Sequence, residues 1–411
     1  MSFGWLKTNT SPIAIDFGVS SLKALQIAGG DTPSLIAASH IKTPTALLNR
    51  DEARLNFQIE SISKLLKEGG FKGRRVVCTV PATCVLVQHL QIQAANTSNM
   101  TGAIAEQLRR ATGAIPGQLI LRHAEVGEIL RHGEKRSEVI CFAMPRDIVV
   151  NHMRALKAAK LEVVGIHTEH LALLRLFDSI TRRSEDAALV SLYIDIGAGT
   201  TKMVVAHGTE IALARTIPIG APRIAKALSD AREKDKSPAT PLKRGPISPA
   251  AAADQSDNTF AQRPSHAHDP ETQAESEPAS PATATADDRR DECVPAGMVS
   301  VSPDDSAGAS ACPRRSDDLG ALLDEISIAL RYHTALFPRA PIARTIFVGG
   351  GASSAEICRT IARSLKLPAL AADPLSRLAD SSYDPDLDLD LRKPQPGWAV
   401  PLGLCVSPTD L

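Results

Sequence analysis

Ile13 to Ile27 reads IAIDFGVSSLKALQI, and Leu192 to Ala206 reads LYIDIGAGTTKMVVA. Each is an apolar strand, Asp-x-Gly, a bend of small residues, then Lys and a second apolar strand. Asp16 matches Asp195, Gly18 matches Gly197, Ser21 matches Thr200 and Lys23 matches Lys202, all at one offset with no gap. A bend built from Gly with Ser or Thr lets backbone N–H groups converge on an anion, because no bulky side chain blocks the approach. A carboxylate closing the preceding strand suits a hydrated Mg2+ beside that anion. Two such hairpins facing each other would grip the phosphates of a nucleotide from both sides. A single Gly-Ser turn after a strand is commonplace. The ungapped repeat gives the pair its meaning.

A third stretch, Thr345 to Ser353 (TIFVGGGAS), is a buried strand running into three glycines, followed by helical spacing over Ala355 to Leu365. Together the three stretches resemble the phosphate loops and adenosine motif of the actin-like ATPase superfamily, in the same order. That resemblance implies ATP and Mg2+ as cofactors. Asp16 and Asp195 would hold the metal through water. Gly18, Ser20, Ser21, Gly197, Gly199 and Thr200 would cradle phosphates, and Lys23 would meet the β- or γ-phosphate as a point charge. Lys202 is placed there by strand symmetry alone. Gly349, Gly350 and Gly351 would let the backbone approach base and ribose.

Composition narrows the class. At 411 residues and 43% hydrophobic, the chain can build more than one core. Forty-six basic and 46 acidic residues cancel, so no global field favours nucleic acid or a membrane surface. Seven cysteines without a Cys-x-x-Cys argue against a disulfide framework or a zinc site, and Cys78, Cys84 and Cys141 read as small core residues. No apolar run reaches the length of a membrane span.

The first eleven residues form a polar leader. After the first hairpin come a strand over Ser34 to Ser39, a helix through Leu55, Ile59, Ile62 and Leu66 that stops at Gly69-Gly70, and the buried strand RRVVCTVP (74–81). Ala82 to Lys160 departs from the repeat. It reads as a strand over Val85 to Ile92, a helix over Met100 to Thr112, strands Leu119 to Val126 and Val139 to Met144 around the charged turn HGEKRSE, and a helix from Arg146. This is a small α+β unit inserted into the first domain. The stretches FGWLK, AEQLRRATGAIP, FAMPRDIVVNHMRALKAAKLEVVGIHTEHLALLRLF and IFVGGGAS, with the inserted unit between the hairpins, resemble the cell-division protein FtsA and, more closely, PilM-type pilus assembly proteins. The resemblance covers nearly all of the chain except Arg232 to Ser316.

The expected fold is therefore α/β: an actin-like ATPase fold of two ribonuclease-H-like domains. The first domain comprises 12–81 and 161–190, the inserted subdomain 82–160, and the second domain 191–231 and 317–411. Residues 232–316, dense in Pro, Ala, Ser, Asp and Glu, cannot bury enough apolar surface to offset the entropy of ordering, and read as a disordered insert. His266 and His268 within it read as solvated. In the family this interval supplies charged adenosine-holding residues; here only Ala225 to Lys236 is left to do so, with Glu233 and Lys234 as candidates. The acidic DPDLDLDLR (384–392) reads as a loop, and AVPLGLC (399–405) resembles the closing helix beside the third motif.

Thr168 reads as an N-cap and Glu169 as the acidic start of the crossover helix, suited to its dipole. In the related chaperones and sugar kinases a polar group at this place orients the water that attacks the γ-phosphate, so Glu169 is also the catalytic candidate. The PilM resemblance implies a cytoplasmic, ATP-binding scaffold of an inner-membrane type IV pilus or type II secretion platform. It would dock the N-terminal peptide of a PilN-like single-span partner between the first domain and the inserted unit. Whether ATP is turned over stays open. A nucleotide-free structural protein of the same fold is the alternative, and a small-molecule kinase is disfavoured because it would need an acceptor pocket with an Asp base, and no further Asp-centred motif lies between the domains.

Overall fold

Two five-stranded sheets with the same strand order make up the body of the protein. The computed structural model describes residues 10–30, 32–93, 99–113, 115–131, 133–179, 189–236, 318–378, 389 and 391–409, all within one compact unit. The first sheet begins with β1 (Ile13–Phe17), β2 (Ser21–Ala28) and β3 (Ser34–Lys42), an antiparallel meander. Helix α1 (Asp51–Glu68) crosses to β4 (Arg75–Thr79), which pairs parallel to β1.

The inserted unit follows as β5 (Leu86–Gln93), α2 (Met100–Thr112), β6 (Leu119–Arg131) and β7 (Glu134–Pro145), with sheet order β5-β7-β6. Helix α3 (Arg146–Ala158) returns to β8 (Glu162–His167), and α4 (Glu169–Ser179) crosses to the second half. There β9 (Val190–Ile196), β10 (Thr201–His207) and β11 (Glu210–Ile217) repeat the meander. They are followed by α5 (Ala221–Lys236), α6 (Asp318–Leu336), β12 (Arg344–Val348), α7 (Ala355–Leu365), β13 (Ala369–Ala371) and α8 (Ala399–Cys405). The orders β3-β2-β1-β4-β8 and β11-β10-β9-β12-β13 superpose term by term, which is the duplication that the two Asp-x-Gly stretches imply.

Helices α4 and α8 lie in the core shared by the two sheets. Ala14, Leu25 and Val77 of the first sheet and Tyr193, Val204 and Val348 of the second pack around Leu173, Phe177, Leu402 and Leu404. Phe177 stacks on Tyr193 with ring centroids 4.4 Å apart. The two helices cross so closely that a Cβ on Gly403 would sit 1.9 Å from the Ala172 carbonyl oxygen. Helix α8 (AVPLGLC) packs on α4 and on the first sheet, with Cys405 Sγ 3.5 Å from Leu25 O, and shares a core with Ile346 and Val348 of the third motif, while the preceding turn, Pro396–Trp398, meets the glycines of that motif.

Two expectations are corrected. β6 and β7 stay paired from Leu119↔Pro145 out to Arg131↔Glu134, so most of HGEKRSE is strand. The outer part of this hairpin is mostly charged, Ile129 and Leu130 apart, and shows no alternation. Helix α5 continues through Arg232 to Lys236, inside the interval assigned to the insert. Arg232 is anchored there by Glu356 of α7. The rest of the insert through Ser316, the FGWLK leader and most of DPDLDLDLR lie outside the described residues. Asp318 opens α6 in an ion pair with Arg223 of α5. Among the described residues, no helix is long and apolar enough to cross a membrane.

Candidate functional site

The loops 18–20 and 197–200 turn toward each other at the ends of their sheets. A Cβ on Gly199 would lie 2.9 Å from Val19 Cγ2, so the two bends touch. Between them opens a cavity of 320 Å3. Its wall takes in Asp16, Gly18, Ser20, Ser21 and Lys23 from the first hairpin and Asp195, Gly197, Gly199, Thr200 and Lys202 from the second. Glu169 and the three glycines Gly349, Gly350 and Gly351 complete it. The residues of the three motifs singled out from the sequence, with Glu169, thus line one space, of the size usual for small-molecule sites.

Backbone geometry explains the glycines that matter most. Gly349 has φ +84°, and a Cβ there would fall 2.1 Å from Asp195 Oδ1 and 2.6 Å from Ile196 O. Nothing lies within 4 Å of a Cβ on neighbouring Gly350. In the second bend, the Gly197 N–H donates to Thr200 O at 2.9 Å and the Gly197 carbonyl accepts from Ala221 N at 2.8 Å, tying the loop to the start of α5. In the first bend, Gln58 Nε2 donates to Gly18 O at 2.6 Å.

The two aspartates have different surroundings. Asp16 Oδ1 accepts from Thr79 Oγ1 at 3.1 Å, and that hydroxyl oxygen accepts from the Phe17 N–H at 3.3 Å. Burial raises the Asp16 carboxyl above its ordinary value, against the pull of the Lys23 and Lys202 ammonium groups. Asp195 Oδ2 instead takes an ion pair from Lys202 Nζ at 2.8 Å. The same ammonium donates to Glu169 Oε2, and Glu169 Oε1 accepts from the Ala82 N–H at 3.0 Å. Lys202 is only 5% exposed. Burial opposes its charge, but Asp195 and Glu169 outweigh that cost and hold its pKa above the usual lysine value. For Glu169, burial is the larger influence and raises the carboxyl despite Lys202.

These contacts fix two positions. Both Glu169 oxygens are hydrogen-bonded, one by Ala82 and one by Lys202, and each keeps a lone pair for a further donor. The N-cap is Thr168, whose Oγ1 accepts from the Leu171 N–H at 3.4 Å. Lys202 is held by two acids beside the loop, its Nζ 3.4 Å from where a Cβ on Gly197 would be. Lys23 behaves differently: it is half-buried, donates to Gly397 O and lies 5.8 Å from the Trp398 ring centroid. The sequence reading missed Thr79, Ala82 and Gly397. Thr79 was visible as the polar end of an apolar strand, whereas Gly397, 374 residues from its partner, left no local trace. Glu233 is exposed on α5 and does not line the cavity, and the side chain of Lys234 lies outside the described residues.

Mg2+ keeps most of its waters and needs a carboxylate to hold them. Asp16 fits that demand, because Thr79 takes one of its oxygens and Asp16 still lines the cavity. Asp195 fits poorly, since Lys202 already occupies it.

Among solved structures, a PilM–PilN type IV pilus biogenesis complex is 18% identical, with 97% of this chain and 99% of that chain covered at a TM-score of 0.60. The actin-like ATPase fold is thereby established. The ethanolamine utilization protein EutJ from Carboxydothermus hydrogenoformans is 10% identical, with 98% and 91% covered and a TM-score of 0.42. The cytoplasmic domain of EpsL, an inner-membrane component of the Vibrio cholerae type II secretion system, is 11% identical, with 55% and 77% covered and a TM-score of 0.34. At those distances neither adds to the argument. No curated protein matches the sequence. The family profile of the type IV pilus assembly protein PilM matches residues 14–250, more than half of the chain, and the chain belongs to that family.

Proposed function

We propose that this pilus assembly protein is an ATP-binding scaffold that docks a membrane partner, and that the cavity between the hairpins is its nucleotide site. The convergence of two phosphate-type loops and the triple-glycine turn on one space carries the reading. Backbone N–H groups of loops 18–20 and 197–200 would receive phosphate oxygens. Lys23 would exchange its carbonyl partner for one of them, and Gly350 leaves room for the nucleoside. Asp16 would hold a hydrated Mg2+, which when bound offsets phosphate charge. Titration of the full chain with a fluorescent ATP analogue, with Mg2+ and with EDTA, tests this. Saturable binding that unlabelled ATP displaces is expected, and no binding under either condition would overturn it.

One observation favours the nucleotide-free alternative. Lys202 is neutralised from within by Asp195 and Glu169, so the cavity floor is electrostatically satisfied without a ligand. The same titration separates the two readings.

The partner would be the N-terminal segment of a PilN-like single-span protein, held as an extended peptide between the first domain and the inserted unit. β5 and β6 are the outer strands of that unit's sheet, and an outer strand offers main-chain groups for strand addition. Such docking would keep the protein at the cytoplasmic face of the inner membrane. Calorimetric titration with N-terminal peptides of single-span proteins encoded beside this gene should give micromolar or tighter binding. Failure of all of them would leave a free-standing nucleotide-binding protein.

A further inference from the structure

The lysine of the second hairpin has a place that the repeat alone does not explain. Its ammonium contacts Asp195 Oδ2 and Glu169 Oε2, lies behind Gly197, and is buried with both partners. A cluster of carboxylates behind a phosphate loop is where a divalent ion would sit if the second hairpin shared in holding one. Here that position is filled by a side chain, and α4 supplies the second acid that fixes it.

We propose that Lys202 is a resident cation of the nucleotide cavity, standing where a metal bridge from the second hairpin would be, so that any divalent ion is held by Asp16 alone. This rests on the cavity being a nucleotide site. Asp195 and Glu169 then act as positioning residues that hold the ammonium against loop 197–200. The geometry supports the division of labour on both sides. Thr79 leaves Asp16 one oxygen, whereas Lys202 and the close approach of Gly349 enclose Asp195. Lys23 cannot replace Lys202, being drawn away to Gly397 and Trp398.

The test uses the full chain and measures the ratio of nucleotide-analogue affinity in Mg2+ to that in EDTA. Asp16→Asn should bring the ratio close to one, and Asp195→Asn should leave it at the wild-type value. Lys202→Met leaves acids buried without a partner and is prone to misfold, so Lys202→Met/Glu169→Gln, checked by circular dichroism, is the working variant. Its ratio should rise at least tenfold above wild type, whereas Lys202→Arg, which keeps a cation between the two acids, should stay near the wild-type value. Mn2+ alone, followed by electron paramagnetic resonance, gives a readout independent of nucleotide. The double variant should take up Mn2+ at least tenfold more tightly than wild type, and Asp195→Asn added to it should abolish the gain. The proposal falls if Asp195→Asn lowers the ratio as far as Asp16→Asn, or if the double variant gains no Mn2+ affinity. Absence of nucleotide binding in every variant would instead refute the nucleotide reading, and the Mn2+ arm would still decide the role of Lys202.

Discussion

The two hairpins pair Asp with Lys across the same register, Asp16↔Lys23 in one and Asp195↔Lys202 in the other. From that common start the lysines part. Lys23 leaves its aspartate for a carbonyl of the C-terminal turn and stays half-buried at the cavity wall. Lys202 stays with its aspartate, gains Glu169 and is fully enclosed. The neighbours decide. Beside Asp16 the parallel strand ends in Thr79, a hydroxyl that ties up the carboxylate from the side. Beside Asp195 it ends in Val348, which has no hydroxyl to offer, and the Gly349 that follows lets the backbone close in. A duplicated motif thus fixes a backbone twice, while the chemistry of each copy is set by the strand laid next to it.

The largest way to break this comparison is to remove each lysine in turn. Lys202→Met leaves buried carboxylates unpaired and should cost about 3–5 kcal/mol of stability. Lys23→Met loses a half-exposed contact and should cost about 1 kcal/mol or less. Urea unfolding of the two variants measures the difference. Equal losses would mean the hairpins use their lysines alike.

How much of this was legible in the sequence follows from what is local. The hairpins, the triple-glycine turn and helix Ala355–Leu365 were readable because each is a short contiguous pattern of apolar strand, small-residue bend and helical spacing. The partner of Lys202 was not, because Glu169 lies 33 residues away and reaches it only through the crossover of α4. The end of α5 was missed for a different reason. Arg232 to Lys236 is charged throughout, and a solvated helical turn has the same composition as a linker. The long β6–β7 hairpin hid for a like cause, its outer half being mostly charged and without alternation.

A smaller effect should come from the third motif, which belongs to the second hairpin alone. Gly349→Ala combines a positive φ with a Cβ pressed against Asp195 and Ile196, and should cost about 2–3 kcal/mol. Gly350→Ala, facing open space, should be close to neutral. Thermal melts of the pair sharpen the comparison, since the residue after the strand beside Asp16 is Val80 and not a glycine. A neutral Gly349→Ala would show that Asp195 has room to move.

Acid should also act more strongly behind the second hairpin. Burial, then the Lys202 ammonium, pushes His170 down to about 4 from 6.5. Between those values the unfolded chain binds a proton that the folded chain refuses, so stability is complete above pH 6.5 and is lost as pH falls toward 4. At pH 5 the loss from this residue should be about 2 kcal/mol. His152, behind the first hairpin with the Phe17 ring 5.0 Å away, is also lowered by burial. Urea unfolding at pH 7.5 and pH 5 should show that His170→Gln removes more of the acid sensitivity than His152→Gln. The reverse order would place the acid-labile region in the first half.

The smallest effects in free energy are those on binding, and they belong to the first hairpin. Asp16 is buried and its carboxyl is raised by that burial, so keeping it ionised costs the folded state something that Asp16→Ala would relieve. The variant should therefore stay folded with a melting temperature close to wild type. Its role lies toward a ligand. If it holds the hydrated metal, Mg-nucleotide affinity should drop at least tenfold, about 1.4 kcal/mol or more. Thr79→Val keeps the carboxylate but removes the hydroxyl that aims it, and a few-fold loss, about 0.6 kcal/mol, is expected. Calorimetric titration of both variants with Mg-ATP, beside their melting curves, completes the contrast with Lys202, whose removal strikes stability first. Should Asp16→Ala bind Mg-ATP as wild type does, the first hairpin would be as closed to ligand as the second.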